Sequence, residues 1–474
     1  MQPLSIVILA AGKGKRMVSE FPKVLHLVGG KPLLAHVLAT AHRLNAAVRV
    51  VVYGHGGDRV KTTFAGESGV CWVEQTVRLG TGHAVAQALP VLDDAGITLV
   101  LYGDVPLTRL ETLQPLVDQA GQGKLALLTV KLADPSGYGR IVRNEQGQVQ
   151  RIVEEKDATP AERGLCEVNT GILAVATAKL RGWVAELGNE NAQGEYYLTD
   201  IVALAGRDQV AIAALTTDEP AEVQGVNDRR QLAELERFYQ RRQAEALLDC
   251  GVTLLDPARV DVRGEVVIGK DVLIDVNVVF EGVVRLGDRV KIGPFCVLKD
   301  AVIGDDVEIL SHSQIDGAEV GAGSHIGPFA RLRPGSQLAA GVHIGNFVET
   351  KKTGIGPGSK VNHLSYLGDA EIGAGVNVGA GTITCNYDGA NKHRTVIEDG
   401  AFIGSNSSLV APVRIGKGAT VGAGSAVDRD VADGSLCLTA QGRELLATTG
   451  QAEKLSHGKH GRCCKTLNDE ETGG

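Results

Sequence analysis

The chain has 474 residues and a formal net charge of −8, which suggests two or three domains at about 100–200 residues each and excludes the broad basic footprint of a nucleic-acid binder. Hydrophobic residues make up 43%, aromatic residues only 4%, and glycines number 61; the cores are therefore built from small side chains and tight turns, not from a helical bundle. The eight cysteines contain no CxxC pair, only Cys463 and Cys464 being adjacent, so the expectation is a reduced, cytoplasmic chain without a zinc site. The apolar start at 4–11 is too short to span a bilayer and lacks the flanks of a signal peptide, so no membrane association is expected.

In chain order, residues 5–9, 48–52 and 98–101 are short apolar runs ending near Gly or Asp, with helical patterns at 33–44 and 84–92 between them. This alternation predicts an α/β domain with a mostly parallel sheet. The first run feeds AAGKGKRM, then FPKVLH. A strand leading into a glycine-rich loop brings backbone N–H groups to an anion, here at Gly12 and Gly14. Arg16 and Lys23 would neutralise a triphosphate. The loop is neither a P-loop nor GxGxxG, since Met17 stands where the third glycine belongs, and alone it reads equally as a solvated basic turn. Asp104 closes the run at 98–101, where ligands of open α/β sheets gather; a lone Asp there is equally a turn cap. From Asn227 the segment DRRQLAELERFYQRRQAEALL predicts a charged helix to about Leu248, joining the two halves.

Beyond it, aliphatic residues recur at every sixth position. They run through Ile268, Ile274, Phe280, Leu286, Ile292 and Leu298, and after one-residue slips through Ile303–Ile315 and Val320–Ile344. Further frames run from Ile355 to Val378 and from Ile397 to Val427. A period of six is neither helical nor simply alternating. It fits one short strand and one turn per repeat, a unit that buries its apolar face only by stacking into a solenoid. The period breaks at 385–395, CNYDGANKHRT, and a polar loop extruded from a regular solenoid points to function. Polar residues gather on the solenoid at Arg333, Lys351, His363, Tyr366, Asn377, Asn386, Tyr387 and Lys392.

LAAGKGKRM followed by PK resembles the signature of nucleoside-diphosphate-sugar pyrophosphorylases. The likeness continues through QTVRLGTGHA, LYGDVPL, GYGRI, EVNTGI, NAQGEYYLTD and EVQGVNDR, and NHLSYLGDAE extends it into the repeats. To about Asp433 the chain resembles the bifunctional N-acetylglucosamine-1-phosphate uridyltransferase/glucosamine-1-phosphate acetyltransferase family. The resemblance implies an enzyme of UDP-N-acetylglucosamine biosynthesis. Its fold would be a Rossmann-like nucleotidyltransferase domain over 1–227, a linker helix over 228–250 and a left-handed parallel β-helix of hexapeptide repeats over 251–437. A largely disordered extension over 438–474 is expected from its polar composition.

The resemblance also assigns residues. UTP and product would lie along Leu9, Ala10, Ala11, Gly12, Arg16, Lys23, Tyr102, Gly103 and Asp104. Gln75, Gly80 and Thr81 would read uracil. Gly139, Glu154 and Asn169 would hold the sugar, and Asp104 with Asn227 would hold Mg²⁺. In the repeats His363 would be the general base, and Arg333, Lys351 and Lys392 would bind the sugar phosphate. Tyr366 and Asn377 would orient the sugar; Ala380, Asn386, Tyr387, Ser405 and Ala423 would meet acetyl-CoA. After Leu436 the sequence CLTAQGREL drifts from the family pattern, and Arg443 stands in for the arginine that contacts the CoA phosphates. A homotrimer through the solenoids is implied as well. Two other readings compete: a non-catalytic regulatory solenoid behind a nucleotidyltransferase, opposed by His363, Asn386 and the loop, and a non-enzymatic exchange-factor subunit, opposed by Arg16, Lys23, Asp104 and Asn227.

Overall fold

The computed structural model describes residues 2–54, 56–440 and 443–447, with only the backbone described at 15, 439–440 and 443–447. The chain divides into two compact units, Met1–Leu286 with Gly293–Asp300, and Gly287–Ile292 with Ala301 onward.

In the first unit, nine strands form one sheet: β1 (Leu4–Ala10), β2 (Val48–Tyr53), β3 (Val70–Glu74), β4 (Ile97–Tyr102), β5 (Leu125–Lys131), β6 (Arg140–Arg143), β7 (Val149–Val153), β8 (Glu167–Ala176) and β9 (Ile212–Thr217). The order is β9-β5-β8-β4-β1-β2-β3, with β6 pairing β8 and β7. Strands β3, β2, β1 and β4 are mutually parallel; the apolar runs predict β1, β2 and β4, and β3 is an addition. Strand β8 is inserted antiparallel between β4 and β5. Alternate residues of β1 feed opposite cores: Ile6, Ile8 and Ala10 pack with helix Leu33–Arg43 on one face, Val7 and Leu9 with helix Thr81–Ala88 on the other. Burial on both faces is why the strand reads as a continuous apolar run.

The charged helix spans Arg229–Asp249, its N-terminus capped by the Asp228 carboxylate, which accepts from the Arg230 and Gln231 amides. It is not an exposed spacer. Leu235 is fully buried in a cluster with Met17, Val28, Leu33, Leu107 and Val226. Gln240 exchanges two hydrogen bonds with the backbone of Val262, donating at 3.0 Å and accepting at 2.6 Å.

The second unit is a stack of coils. Core residues of successive coils pair parallel and in register: Ile292 with Ile309, Ile326, Ile344, Val361 and Val378 along one face. The spacing is 17 or 18 residues, three hexapeptides, except where Val378 pairs with Ile403 25 residues on, the extra length being the loop at 385–395. Every sixth-position aliphatic named above is buried except Ile268, which is half-buried. Two core positions that an aliphatic count skips are threonines. Thr350 shares a hydrogen bond with Ser336 (2.8 Å), and Thr384 accepts from the Gly368 amide (2.8 Å) and donates to the Gly368 carbonyl (3.1 Å). Regular structure continues past 437: Leu436–Ala440 and Arg443–Ala447 pair antiparallel. The rest of the extension lies outside the described residues.

Candidate active sites

Neighbouring strands β1 and β4 both end at one edge of the first sheet, and their following loops meet there. Gly103 donates its amide to Leu9 (2.9 Å), and Val226 donates to the Asp104 carbonyl (3.0 Å). Gly14 has φ +59°, and a Cβ there would stand 2.9 Å from Cβ of Lys23, so the loop closes tightly on that lysine. The Lys23 ammonium pairs with the Asp104 carboxylate and reaches Asn227 Oδ1 at 3.4 Å. Two hard oxygens from segments far apart in sequence therefore converge on one cation. Among the described residues no cluster of three or more His, Cys, Asp or Glu forms a metal cage; one carboxylate and one amide oxygen suit Mg²⁺, which takes few protein ligands when phosphates and water complete its shell. Arg16 stands exposed on the turn Lys15–Met17 with no hydrogen-bond or ion-pair partner among the described residues, and it is the one predicted phosphate group that the structure does not draw in.

A cavity of about 310 Å³ opens at this edge, lined by Leu9–Gly12, Lys23, Gln75, Gly80, Thr81, Tyr102 and Asp104, with Arg78 and Glu195 beside them. Gly80, at φ +104°, caps helix Thr81–Ala88; a Cβ on it would lie 2.6 Å from the Tyr196 carbonyl. The segment at 196–198 is pinned against this turn: Gly82 donates to the Tyr196 carbonyl (2.8 Å), and Leu198 donates to Thr81 Oγ1 (3.1 Å).

Gly139, Glu154 and Asn169 also come together. The Asn169 amide donates to the Gly139 carbonyl (2.8 Å), and a Cβ on Gly139 would sit 3.4 Å from the Glu154 carboxylate. Thr199 donates its hydroxyl to Glu154 (3.0 Å). Burial pushes the Glu154 carboxyl above the usual range, against that hydrogen bond, with Asp200, Asp157 and Glu195 adding to the rise. Burial, then Glu154 and Asp104, holds the Tyr102 phenol far above its ordinary value, so it stays a neutral donor.

On the coils, His363 is exposed at a corner, one coil above Asn346. Asn346 Oδ1 lies 2.9 Å from His363 Nδ1. A carboxamide oxygen only accepts, so that arrangement puts the proton on Nδ1 and leaves Nε2 as a free base. Ala380, Ser405 and Ala423 continue the His363 column on successive coils, Asn406 donating to the Ala380 carbonyl and Gly424 to that of Ser405. The adjacent column changes character there: Phe329, Phe347 and Leu364 give way to Gly381, Asn406 and Gly424. Small residues leave a shallow track, and at about 4.8 Å per coil the three steps from His363 to Ala423 cover roughly 14 Å.

Tyr366 pairs in register with Glu349 and Lys351 with Gly368. Arg333 donates to Glu349 (2.7 Å). Lys392, with Arg333 adding to it, holds the Lys351 amine below its ordinary range, opposed by Asp369; three cations thus share one small area. Asn386, nearly buried, donates to Asp369 (2.5 Å). The extruded loop is closed by the Tyr387–Lys392 bridge and by Asp388. The amides of Asn391 and Ala390 and the His393 ring hold that carboxyl well below the usual range. Asn377 sits apart from this group: it belongs to the strand row of Lys360 and Phe402, whereas Lys351 and Tyr366 belong to the other sheet. The Arg443 side chain lies outside the described residues.

The chain thus carries two sets of groups on two folds, one of backbone amides, Lys23 and Asp104 at a sheet edge, and one around the His363 imidazole. The model of the MobA-like NTP transferase domain matches residues 6–250, that of the GMPPB C-terminal domain residues 262–366, and the hexapeptide repeat of succinyl-transferase residues 394–429. The bifunctional protein GlmU of Marinobacter nauticus is 60% identical over 94% of this chain and 97% of its own length. The chain belongs to the bifunctional GlmU family. GlmU of Methylococcus capsulatus is likewise 60% identical (94% of this chain, 96% of that one), and GlmU of Alkalilimnicola ehrlichii 59% (96% of each). Several groups in this GlmU-family chain are not singled out from the sequence: Asn346 under His363, Asp369 under Asn386, Thr199 on Glu154, and Arg78, His83 and Glu195 around the cavity at the sheet edge. Arg78 and His83 lie inside QTVRLGTGHA, Asp369 inside NHLSYLGDAE, and Thr199 and Glu195 inside NAQGEYYLTD, where the signal is present; Asn346 becomes visible only with the coil register.

Proposed function

We infer that the chain makes UDP-N-acetylglucosamine in two transfers at two separate sites, and the observation that carries this is its end-to-end match to bifunctional GlmU relatives. The repeat domain N-acetylates glucosamine-1-phosphate. The amine attacks the thioester carbonyl of acetyl-CoA and His363 Nε2 takes its proton; as the C–S bond breaks, the imidazolium returns that proton to the departing sulfur, so CoA leaves as the thiol. Asn386 and the loop backbone face the oxyanion that forms. Arg333, Lys351 and Lys392 hold the phosphate, Tyr366 the sugar, and Ala380, Ser405 and Ala423 floor the track for the CoA arm, with Arg443 at its phosphates.

The N-terminal domain then passes uridylyl from UTP to N-acetylglucosamine-1-phosphate. The sugar phosphate oxygen attacks the α-phosphorus in line, and pyrophosphate leaves without a covalent intermediate. The backbone amides at 10–14, with Lys23 and Arg16, take up the phosphate charge. Gln75, Gly80 and Thr81 hold the base; Gly139, Glu154 and Asn169 hold the sugar. Asp104 and Asn227 would hold Mg²⁺, which supplies charge neutralisation at the phosphates when bound.

Asn377 stands on a different face from Lys351 and Tyr366, which supports a homotrimer in which a neighbouring copy completes each acetyl site. Sedimentation should therefore give a trimer, and an active monomer would contradict it. UTP and acetyl-CoA are cytoplasmic metabolites, and that is where the chain works; among the described residues no helix is long and apolar enough to cross a membrane. The direct test is to supply purified protein with acetyl-CoA, glucosamine-1-phosphate, UTP and Mg²⁺. Free CoA, pyrophosphate and UDP-N-acetylglucosamine should all appear; release of pyrophosphate without CoA would reduce the repeats to a regulatory module.

A further inference from the structure

Gln75 is almost wholly buried, and its side chain lines the nucleotide cavity. Its Nε2 donates to the Gly80 carbonyl at 3.1 Å and faces His83 Nδ1 at 3.0 Å. A backbone carbonyl can only accept, so the NH₂ end of the carboxamide is fixed on that side. His83 Nδ1, facing the same NH₂, must then be the unprotonated ring nitrogen. The ring proton is left on Nε2, which faces the Gln87 amide nitrogen at 3.3 Å, a group that also reaches the His83 carbonyl at 3.3 Å. Gln87 is half-buried and can turn its carboxamide to accept that proton, whereas the buried Gln75, pinned to the Gly80 carbonyl and closer to the ring, cannot turn. Both hydrogens of the Gln75 amide are thereby committed, and among the described residues its Oε1 meets no hydrogen-bond partner.

We infer that His83 is a positioning residue for base selection: it locks the Gln75 carboxamide so that the cavity is offered an acceptor and no donor. Uracil presents an N3–H donor, whereas cytosine presents an N3 acceptor. An acceptor held in place pairs with the first and leaves two lone pairs opposed with the second. Sites that fix a polar group in this way discriminate strongly, because the wrong partner leaves a buried group unsatisfied. If one of the two anchors is lost, the carboxamide is free to turn over and offer its NH₂ to cytosine. The inference rests on the proposed reading of Gln75 as the base contact.

The test compares UTP with CTP as donors to N-acetylglucosamine-1-phosphate in the wild type, His83→Leu and His83→Asn. Asparagine can present Oδ1 near the place of imidazole Nδ1 and keep the acceptor; leucine cannot. His83→Leu should lower the UTP-over-CTP preference in kcat/KM by about tenfold, the worth of one buried hydrogen bond. The loss should fall mainly on KM for UTP, with kcat changed little, and His83→Asn should restore most of the preference. Three results would overturn the inference: an unchanged preference in His83→Leu, an equal loss with both nucleotides, or a preference that His83→Asn does not restore. A wild type with no preference for UTP would instead strike the reading of Gln75 itself, and the inference with it.

Discussion

At the scale of single residues, the chemistry turns on which atom carries a proton. Asn346 Oδ1 accepts from His363 Nδ1, which leaves Nε2 able to accept a proton. His363→Ala should lower acetyl transfer by ~10²–10⁴, the range for a positioned general base, with acetyl-CoA binding and uridylyl transfer little changed. A defect that saturating glucosamine-1-phosphate abolishes would make His363 a binding residue instead. Glu154 gives a second prediction. Its carboxyl is raised by burial, so it protonates at a higher pH than an ordinary glutamate. As pH falls through that raised value, the charged acceptor for a sugar hydroxyl is lost, and KM for N-acetylglucosamine-1-phosphate should rise. Glu154→Gln should remove this pH dependence and raise KM by about 10–100-fold, matching the ~1.5–3 kcal/mol of a hydrogen bond to a charged group; a wild-type KM flat across that range would contradict it. His363 and Asp104 lie within motifs read from the sequence, whereas Glu154 is assigned by the family resemblance alone. Asn346 lies in no motif, and His83, though inside QTVRLGTGHA, gets no role from it, because each acts through a neighbour, and adjacency across coils or around a turn is not a property of sequence order.

At the scale of elements, the hexapeptide period was the most legible feature of the chain. Every repeat must put one aliphatic side chain into the same narrow core, so the pattern survives even one-residue slips. Thr350 and Thr384 escaped it because a period counted in aliphatics passes over a buried hydroxyl whose partners are backbone groups one coil away. Thr384→Val keeps the shape but leaves the Gly368 amide without its acceptor. It should cost about 1–3 kcal/mol in unfolding experiments, and it should also weaken acetyl transfer, since Asn386 lies two residues on; an unaltered stability would show that the amide finds another partner. The antiparallel strand Glu167–Ala176 was also hidden. EVNTGI gave a motif without a direction, and strand direction depends on the connection, which local pattern does not encode.

At the scale of the whole molecule, the helix Arg229–Asp249 reads as a linker by charge but folds as part of the N-terminal core, with Leu235 fully buried against Met17 and Leu33. Its polar residues outnumber the few that are buried, which is why its composition conceals the attachment. A chain ending at 227 should therefore be markedly less stable than one ending at 250, where the loss of Leu235 alone is worth about 2–5 kcal/mol, and only the longer chain should keep full uridylyl transfer; equal melting temperatures would refute this. Two sites on one chain should fail independently. The most direct test is to assay pyrophosphate release and CoA release on the same preparations of Asp104→Ala and His363→Ala. Asp104→Ala should lose pyrophosphate release and keep CoA release, and His363→Ala should do the reverse, whereas parallel loss of both activities in either variant would contradict two separate sites.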